Sequence, residues 1–390
     1  MRVLAVLLSL FIVIISCDPK SKTNSIEPNQ KVSLEKLDSI QINYLGKYQV
    51  HDLDPVSKTV VFDGGDGNAS QIIVLANFDG SIINSFSKLG DVPDGYGGLM
   101  STIRLIGENQ LLVFGSKGFI TYDFEGNLIS GVKAVDFQPL NSRPIRMGLG
   151  MEKLGDSYLY VNQDIPDNRS YSDKEIYEDL YLLKWWSPLT GEQESFGQFQ
   201  ESSIYRSGKY FYPNSWAPVY SLSDDKIYVA FGLEPVIYVF DSNPPYSLIS
   251  SFPLDLPEYR YFEGRDKYSR DLTFFFLSVV TSGRILNIKK VDGYFLVAYT
   301  QGYSNADIEM RIAKKSEEET IDFNNRIDEK YPLHLAILDS LGNLVNDIVP
   351  VGLEVESMLI RNGELWMQET PNKEVELDYF RLFRVGLKLD

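Results

Sequence analysis

A short unit recurs along this chain: an apolar strand, an aspartate, a turn that contains glycine, and a second short apolar strand. The clear copies centre on three Asp and Gly pairs: Asp79 with Gly80, Asp123 with Gly126, and Asp339 with Gly342. Looser copies centre on Gly191 and Asp241. Aspartate caps such turns through its side chain, and glycine takes the positive φ that tight hairpins require. The unit is therefore a β-hairpin, and its repetition indicates a fold built from repeated antiparallel strands.

A second hairpin of short strands precedes these units. The predicted inner hairpins are residues 48–62, 103–114, 147–161, 219–231, 286–299 and 357–367. One inner and one outer hairpin together give four antiparallel strands, which is the unit of a β-propeller blade. The sequence therefore predicts an all-β fold, a six-bladed β-propeller of four-stranded antiparallel blades.

The two ends of the chain complement each other. The last repeat has one clear outer strand, at residues 379–385, whereas residues 32–42 form a strand-like run that precedes the first blade. An N-terminal strand that completes the last blade would close the ring and remove its open edges. The spacing of the repeats is uneven, so seven blades, or a sandwich with a smaller domain, stay open as alternatives.

Two insertions cause the uneven spacing. Residues 164–179 follow the third inner hairpin and end in a predicted short helix. Residues 305–330 alternate isoleucine with dense charge, which predicts a surface helix on a loop.

The N-terminus predicts an exported and lipidated protein. Arg2 precedes an apolar stretch over residues 3–15, and Ser16 and Cys17 end it. A small residue before a cysteine at this place resembles the lipobox of bacterial lipoproteins, so we expect a signal peptide at 1–16 and lipid on Cys17. Several acyl chains there would anchor the protein stably to a membrane of the cell envelope, outside the cytoplasm.

The expected domain boundaries follow from composition. Residues 17–30 are polar, contain two prolines, and predict a flexible tether. Residues 31–390 predict a single propeller domain. The formal net charge is −17, and loss of Arg2 with the signal peptide makes the mature chain more acidic still. Nucleic acid is excluded as a partner, because binding it requires clustered Lys and Arg.

The chain resembles a known family. The signal with Cys17, the turn motifs at Asp79 and Asp123, and the segment KLGDVPDGYGGL at residues 88–99 are similar to uncharacterised six-bladed β-propeller lipoproteins of Bacteroidota. The resemblance extends from residue 1 to about residue 387. It implies a fold and a location, and it implies no activity.

Few residues suggest metal or catalytic chemistry. The two histidines, His51 and His334, fall in different predicted blades, which excludes a histidine-rich metal site. Asp63, Asp66 and Asn68 form a weak calcium candidate, but their spacing lacks the calcium-loop pattern and a hairpin turn is the preferred interpretation. No cofactor is predicted, and catalytic residues are unknown.

Two segments rich in tyrosine and arginine form the candidate binding surface. Tyrosine, tryptophan and arginine are the residue types that binding surfaces use most. The predicted residues are Tyr205, Arg206, Tyr210, Tyr212, Trp216, Tyr259, Arg260, Tyr261 and Arg265. The alternative is that these rings pack between blades.

Three functions fit this sequence. The preferred one is a lipid-anchored propeller that binds a protein or glycan partner and performs no chemistry. The second is an enzyme, a lyase or hydrolase acting on a polysaccharide or lactone at the axial channel. The third is a structural subunit of an envelope complex, which predicts a large apolar patch on the outer rim.

Overall fold

The strands pair into six separate four-stranded antiparallel sheets arranged as the blades of a propeller. The computed structural model describes residues 31–65, 72–133, 145–162, 169–188, 190–269, 275–313, 316–372, 375 and 377–389. Cys17 and the rest of residues 1–30 lie outside the described residues. The six-bladed prediction is confirmed, and seven blades or a sandwich are excluded.

The first strand of the chain, β1, is Val32–Asn43. Blade 1 contains β2 (Lys47–Asp54), β3 (Thr59–Gly65), β4 (Ile72–Asn77) and β5 (Ile82–Phe86). Blade 2 contains β6 (Arg104–Ile106), β7 (Gln110–Gly115), β8 (Gly118–Asp123) and β9 (Leu128–Val132). Blade 3 contains β10 (Glu152–Leu154), β11 (Ser157–Val161), β12 (Leu183–Trp186) and β13 (Gln193–Phe196).

Blade 4 contains β14 (Pro218–Ser223), β15 (Lys226–Phe231), β16 (Val236–Asp241) and β17 (Leu248–Pro253). Blade 5 contains β18 (Arg284–Val291), β19 (Tyr294–Thr300), β20 (His334–Leu338) and β21 (Leu344–Ile348). Blade 6 contains β22 (Leu359–Arg361), β23 (Glu364–Gln368) and β24 (Tyr379–Leu389), with β1 as its outermost strand. The N-terminal strand therefore closes the last blade, as the sequence predicts.

The two ends of the blades differ. At one end, short turns join the first strand of a blade to the second and the third to the fourth. At the other end, connections of varied length lead from the second strand to the third, and longer ones lead from each blade to the next, including residues 87–103, 197–217 and 349–358. We call these ends the turn face and the loop face. Binding residues are typically found on loops that a rigid scaffold positions, so a binding site is expected on the loop face.

The recurring Asp and Gly turns are on the turn face, and each packs on the preceding blade. Asp123 Oδ1 accepts a hydrogen bond from the Asn127 amide at 2.7 Å, and Gly126 takes a φ of 84°. A Cβ on Gly126 would lie 2.8 Å from the Phe86 ring of β5. Glycine is therefore required both for the turn and for the close approach of neighbouring blades.

Buried side chains form six hydrophobic clusters among the described residues, and each cluster joins two neighbouring blades. One example is the stack of Phe119 in blade 2 on Trp186 in blade 3, with ring centroids 3.9 Å apart. Another joins blade 6 to blade 1 through Phe380 and Phe62. Central strands such as β3 are buried on both faces because a blade covers each side. The hydrophobic core is therefore distributed around a closed ring.

Among the described residues, four α-helices lie in connections of the loop face. They are α1 (Ile176–Asp179), α2 (Phe276–Thr281), α3 (Asn305–Ile312) and α4 (Glu317–Lys330). The second insertion holds two helices where the sequence predicts one, because Ser316 starts a new helix with a capping box to Glu319. In the described part of the chain, no helix is long and apolar enough to cross a membrane.

Candidate functional site

The innermost strands of five blades place a charged side chain at the propeller axis. These residues are Asp52 on β2, Arg104 on β6, Glu152 on β10, Lys289 on β18 and Arg361 on β22. Blades 3 and 6 are opposite each other in a ring of six, so a contact between Glu152 and Arg361 has to cross the axis. We call this group the axial cluster.

The charged groups of the axial cluster all have hydrogen-bond partners. Arg361 Nη1 lies 3.0 and 2.9 Å from the two carboxylate oxygens of Glu152, and its Nε donates to Asp52 Oδ1 at 2.7 Å. Arg104 Nη1 donates to the same Glu152 carboxylate at 2.9 Å. Lys289 Nζ donates to the backbone oxygens of Gly148 and Tyr220, at 2.9 and 3.1 Å, and to the Asn287 side chain. Both carboxylates on the axis are therefore already occupied by arginine.

These contacts set the pKa values of the cluster. Burial acts to raise the pKa of Glu152, but Arg361 and Arg104 outweigh it and hold the pKa below its usual value. Burial likewise acts to lower the pKa of Arg361, and Asp52 and Glu152 raise it above its usual value. Burial lowers the pKa of Lys289 to about 8 against the opposing effect of Glu152. With a pKa of about 8, all but a small fraction of the Lys289 side chains are protonated at neutral pH.

A cavity of about 580 Å³ opens on the loop face. The start of β2 (residues 47–50), the segment 145–147 that leads into β10, and the turn 354–357 that leads into β22 form most of its wall. Gly148, at the end of segment 145–147, allows that segment to approach the turn 354–357, because a Cβ on Gly148 would collide with the Met358 backbone oxygen. The volume falls within the range typical of small-molecule and side-chain pockets.

The cavity combines apolar surface with carboxylates. Tyr48 stacks on Phe380, with ring centroids 4.2 Å apart, and Met147 and Leu333 add apolar wall. Burial raises the pKa of the Glu354 carboxyl above its usual value, and the nearby Arg146 acts in the opposite direction. Burial also raises the pKa of Tyr48, and the Glu354 charge adds to that shift. Glu354 and Tyr48 therefore belong to the same cavity wall and influence each other's ionisation.

The second carboxylate of the cavity, Glu356, contacts the Arg146 guanidinium. The Glu354 carboxylate has no hydrogen-bond donor and no ion-pair partner among the residues that the structure describes. Lys47 at the rim is exposed and pairs with neither carboxylate. The cavity therefore contains one carboxylate in direct contact with a cation and one without a direct partner.

Three rings of the predicted binding surface belong to the core instead. Tyr205, Tyr212 and Trp216 are 1%, 2% and 3% exposed, which excludes them from a surface. They pack between blades 3 and 4, where the Tyr205 hydroxyl donates to the Ser215 backbone oxygen at 2.8 Å. For these three residues the alternative interpretation, packing between blades, is the correct one.

The other predicted residues lie closer to solvent. Arg260 is exposed, and the remaining five are half-buried: Arg206, Tyr210, Tyr259, Tyr261 and Arg265. The two predicted segments do meet, because the backbones of residues 210 and 265 bond to each other, with the two N···O distances at 2.7 and 2.9 Å. None of these nine residues lines the cavity near Tyr48.

The histidines and the calcium candidate have structural surroundings. His51 Nε2 lies 2.9 Å from Asp63 Oδ2, and both side chains are largely buried. His334 Nδ1 lies 2.8 Å from Asp347. Asp66 and Asn68 lie outside the described residues. In the part of the chain that the structure describes, no three metal-ligating His, Cys, Asp or Glu side chains converge.

Sequence reasoning missed both the axial cluster and the cavity. A partial signal for the cluster exists, since five of the six inner strands contain a charged residue, and Arg104 lies within the short apolar run IRLI. The cavity has no comparable signal, because its wall combines residues that are far apart in the chain.

Comparison with known proteins supports the fold. No protein-family model and no curated protein matches the sequence. A solved structure of a DUF4221 family member from Bacteroides vulgatus matches with a TM-score of 0.62 and 11% identity, covering 92% of this chain and 99% of that one. The likeness shows the fold.

Two further solved structures are less similar. A protein of unknown function from Bacteroides caccae matches with 12% identity and a TM-score of 0.40, covering 83% of this chain and 94% of its own. A gluconolactonase from Xanthomonas campestris matches with 9% identity and a TM-score of 0.44, covering 92% and 95%. At TM-scores below 0.5 these likenesses say nothing about the site of this chain.

Proposed function

We propose that this protein is a lipid-anchored binding module of the cell envelope, and that its loop face holds a protein or glycan partner. The observation that carries the proposal is the cavity beside Tyr48 and Glu354, which opens on the loop face. The axial carboxylates Asp52 and Glu152 do not line this cavity, and both are paired with Arg361. The carboxylates of the cavity wall itself are Glu354 and Glu356.

The anchor part of the proposal rests on the sequence around Cys17. A thiol at the end of an apolar segment that starts with Arg2 is typical of lipoproteins, and residues 17–30 are long enough to separate a domain from a membrane. We expect Cys17→Ser to move the protein from the membrane pellet to the soluble fraction after carbonate washing. Retention of the variant in the pellet would contradict the anchor.

The binding part is tested by blocking the cavity. Gln49→Trp places an indole in the cavity wall, and Glu108→Trp places the same ring on the exposed turn between β6 and β7 as a matched control. Both variants and the natural protein are purified from detergent-solubilised membranes, and co-purifying proteins and glycans are identified by mass spectrometry. We expect a partner that the natural protein and Glu108→Trp retain and that Gln49→Trp loses. A partner retained equally by both variants would refute binding at the cavity.

A further inference from the structure

The Glu354 carboxylate is a charged group of the cavity wall that lacks a direct partner. It is half-buried, and no donor among the described residues lies within ion-pair distance of it. Partial burial of a carboxylate without a direct partner costs free energy, and a cation that enters the cavity would reduce that cost. Arg146 acts on Glu354 only from a distance, because its guanidinium contacts Glu356.

The surroundings of Glu354 fit an aliphatic cation better than a sugar. Tyr48, Met147 and Leu333 offer apolar surface beside the carboxylate. The Tyr48 ring is held in place by its stack on Phe380, and a fixed aromatic face also attracts a cation. A lysine side chain has an apolar stem and an ammonium tip, so both parts of this cavity wall would be used.

The charge of the whole chain favours the same class of partner. The protein has a formal net charge of −17 at pH 7. A basic protein segment would be attracted to it over several ångströms before contact, and like-charged acidic segments would be repelled. Charge complementarity therefore selects a basic polypeptide.

We propose that the cavity binds a lysine side chain from a basic segment of a partner protein, with the ammonium paired to Glu354 and the stem against Tyr48 and Met147. This inference rests on the proposed function and names the chemistry of the partner. Lysine is preferred to arginine because a guanidinium can bond to one carboxylate through two parallel hydrogen bonds but then has more N–H donors left to satisfy elsewhere than an ammonium has.

The test uses the purified protein and capped pentapeptides with a central lysine, N-acetyl-lysine or norleucine between alanines, titrated by calorimetry. We expect saturable binding of the lysine peptide that is at least tenfold tighter than that of the other two. Glu354→Gln should weaken lysine-peptide binding at least tenfold, and Glu108→Gln, the same change on the turn face, should leave it unchanged. Equal binding of the norleucine peptide, or full affinity in Glu354→Gln, would overturn the inference.

Glucosamine and a central-arginine peptide are titrated in the same way, to distinguish a glycan or an arginine side chain from lysine as the occupant of the cavity. Binding of glucosamine without binding of the lysine peptide would refute a basic polypeptide and leave a glycan at the site. If no probe binds while Gln49→Trp still loses the envelope partner, the lysine inference fails and the proposed function stands. If Gln49→Trp keeps that partner, the proposed function fails as well.

Discussion

Removal of the arginine at the centre of the axial cluster gives the largest effect that the structure predicts. In Arg361→Met the side-chain stem remains, while Asp52 and Glu152 lose their shared guanidinium. The three side chains are 12%, 2% and 17% exposed, so the carboxylates cannot recover full hydration. Removing one partner of a buried pair costs about 3–5 kcal/mol of unfolding free energy. Arg104 still contacts Glu152 at 2.9 Å, which favours the lower part of that range.

The expected shift in thermal unfolding follows from the size of the domain. Unfolding entropy is about 2.1 cal/mol/K per residue, and the domain spans Lys31–Asp390. Each kcal/mol therefore moves Tm by about 1.3 °C, and Arg361→Met should lower Tm by about 4–6 °C. The measurement is scanning calorimetry of both proteins at pH 7.

The control removes the same charge from an exposed pair. Lys117 lies 3.2 Å from Asp91, whose side chain is fully exposed. Exposed pairs contribute about 0–1 kcal/mol, so Lys117→Met should lower Tm by no more than about 1 °C. Equal shifts in the two variants would refute the reasoning, because the axial cluster would then contribute no more than a surface pair.

Two further changes test the close packing at Gly148 and the buried lysine. Gly148 and Gly293 both have positive φ, but only a Cβ on Gly148 would collide with the Met358 backbone. Gly148→Ala should therefore lower the unfolding free energy, measured by chemical denaturation, clearly more than Gly293→Ala, and equal losses would contradict the close packing. The pKa of Lys289 is lowered to about 8, so between pH 8 and about 10.4 the unfolded chain binds more protons than the folded one. The unfolding free energy of the natural protein, measured relative to Lys289→Met, should therefore rise over this window by on the order of 3 kcal/mol, and a constant difference would contradict the assigned cause.

The blades are predictable from sequence because their signals are local. Aspartate and glycine in a turn such as 123–126 act on residues a few positions away, and alternating turn and strand signals then give the number of hairpins. The closing strand is also predictable, since an unpaired strand at each end of a ring has one natural partner. These features follow from residues close together in the chain or from the number of strands.

The site is not predictable in the same way. Glu152 and Arg361 are 209 residues apart, and they meet only because blades 3 and 6 face each other across the axis. The aromatic segment near Tyr205 reads as a surface, because the sequence does not show that a loop from a second blade covers it. Burial of a loop side chain depends on which loops become neighbours. The lack of a direct partner for Glu354 also depends on which distant segments become its neighbours, so the sequence does not show it.

The loop face, at the cavity, is the proposed binding site of the partner. The most direct measurement is cross-linking in cells with a photoreactive amino acid at Lys47 on the cavity rim, and at Asp156 in the turn between β10 and β11 on the turn face. We expect a discrete cross-linked partner from position 47 and none from position 156. The same partner captured from position 156, with none from position 47, would contradict it.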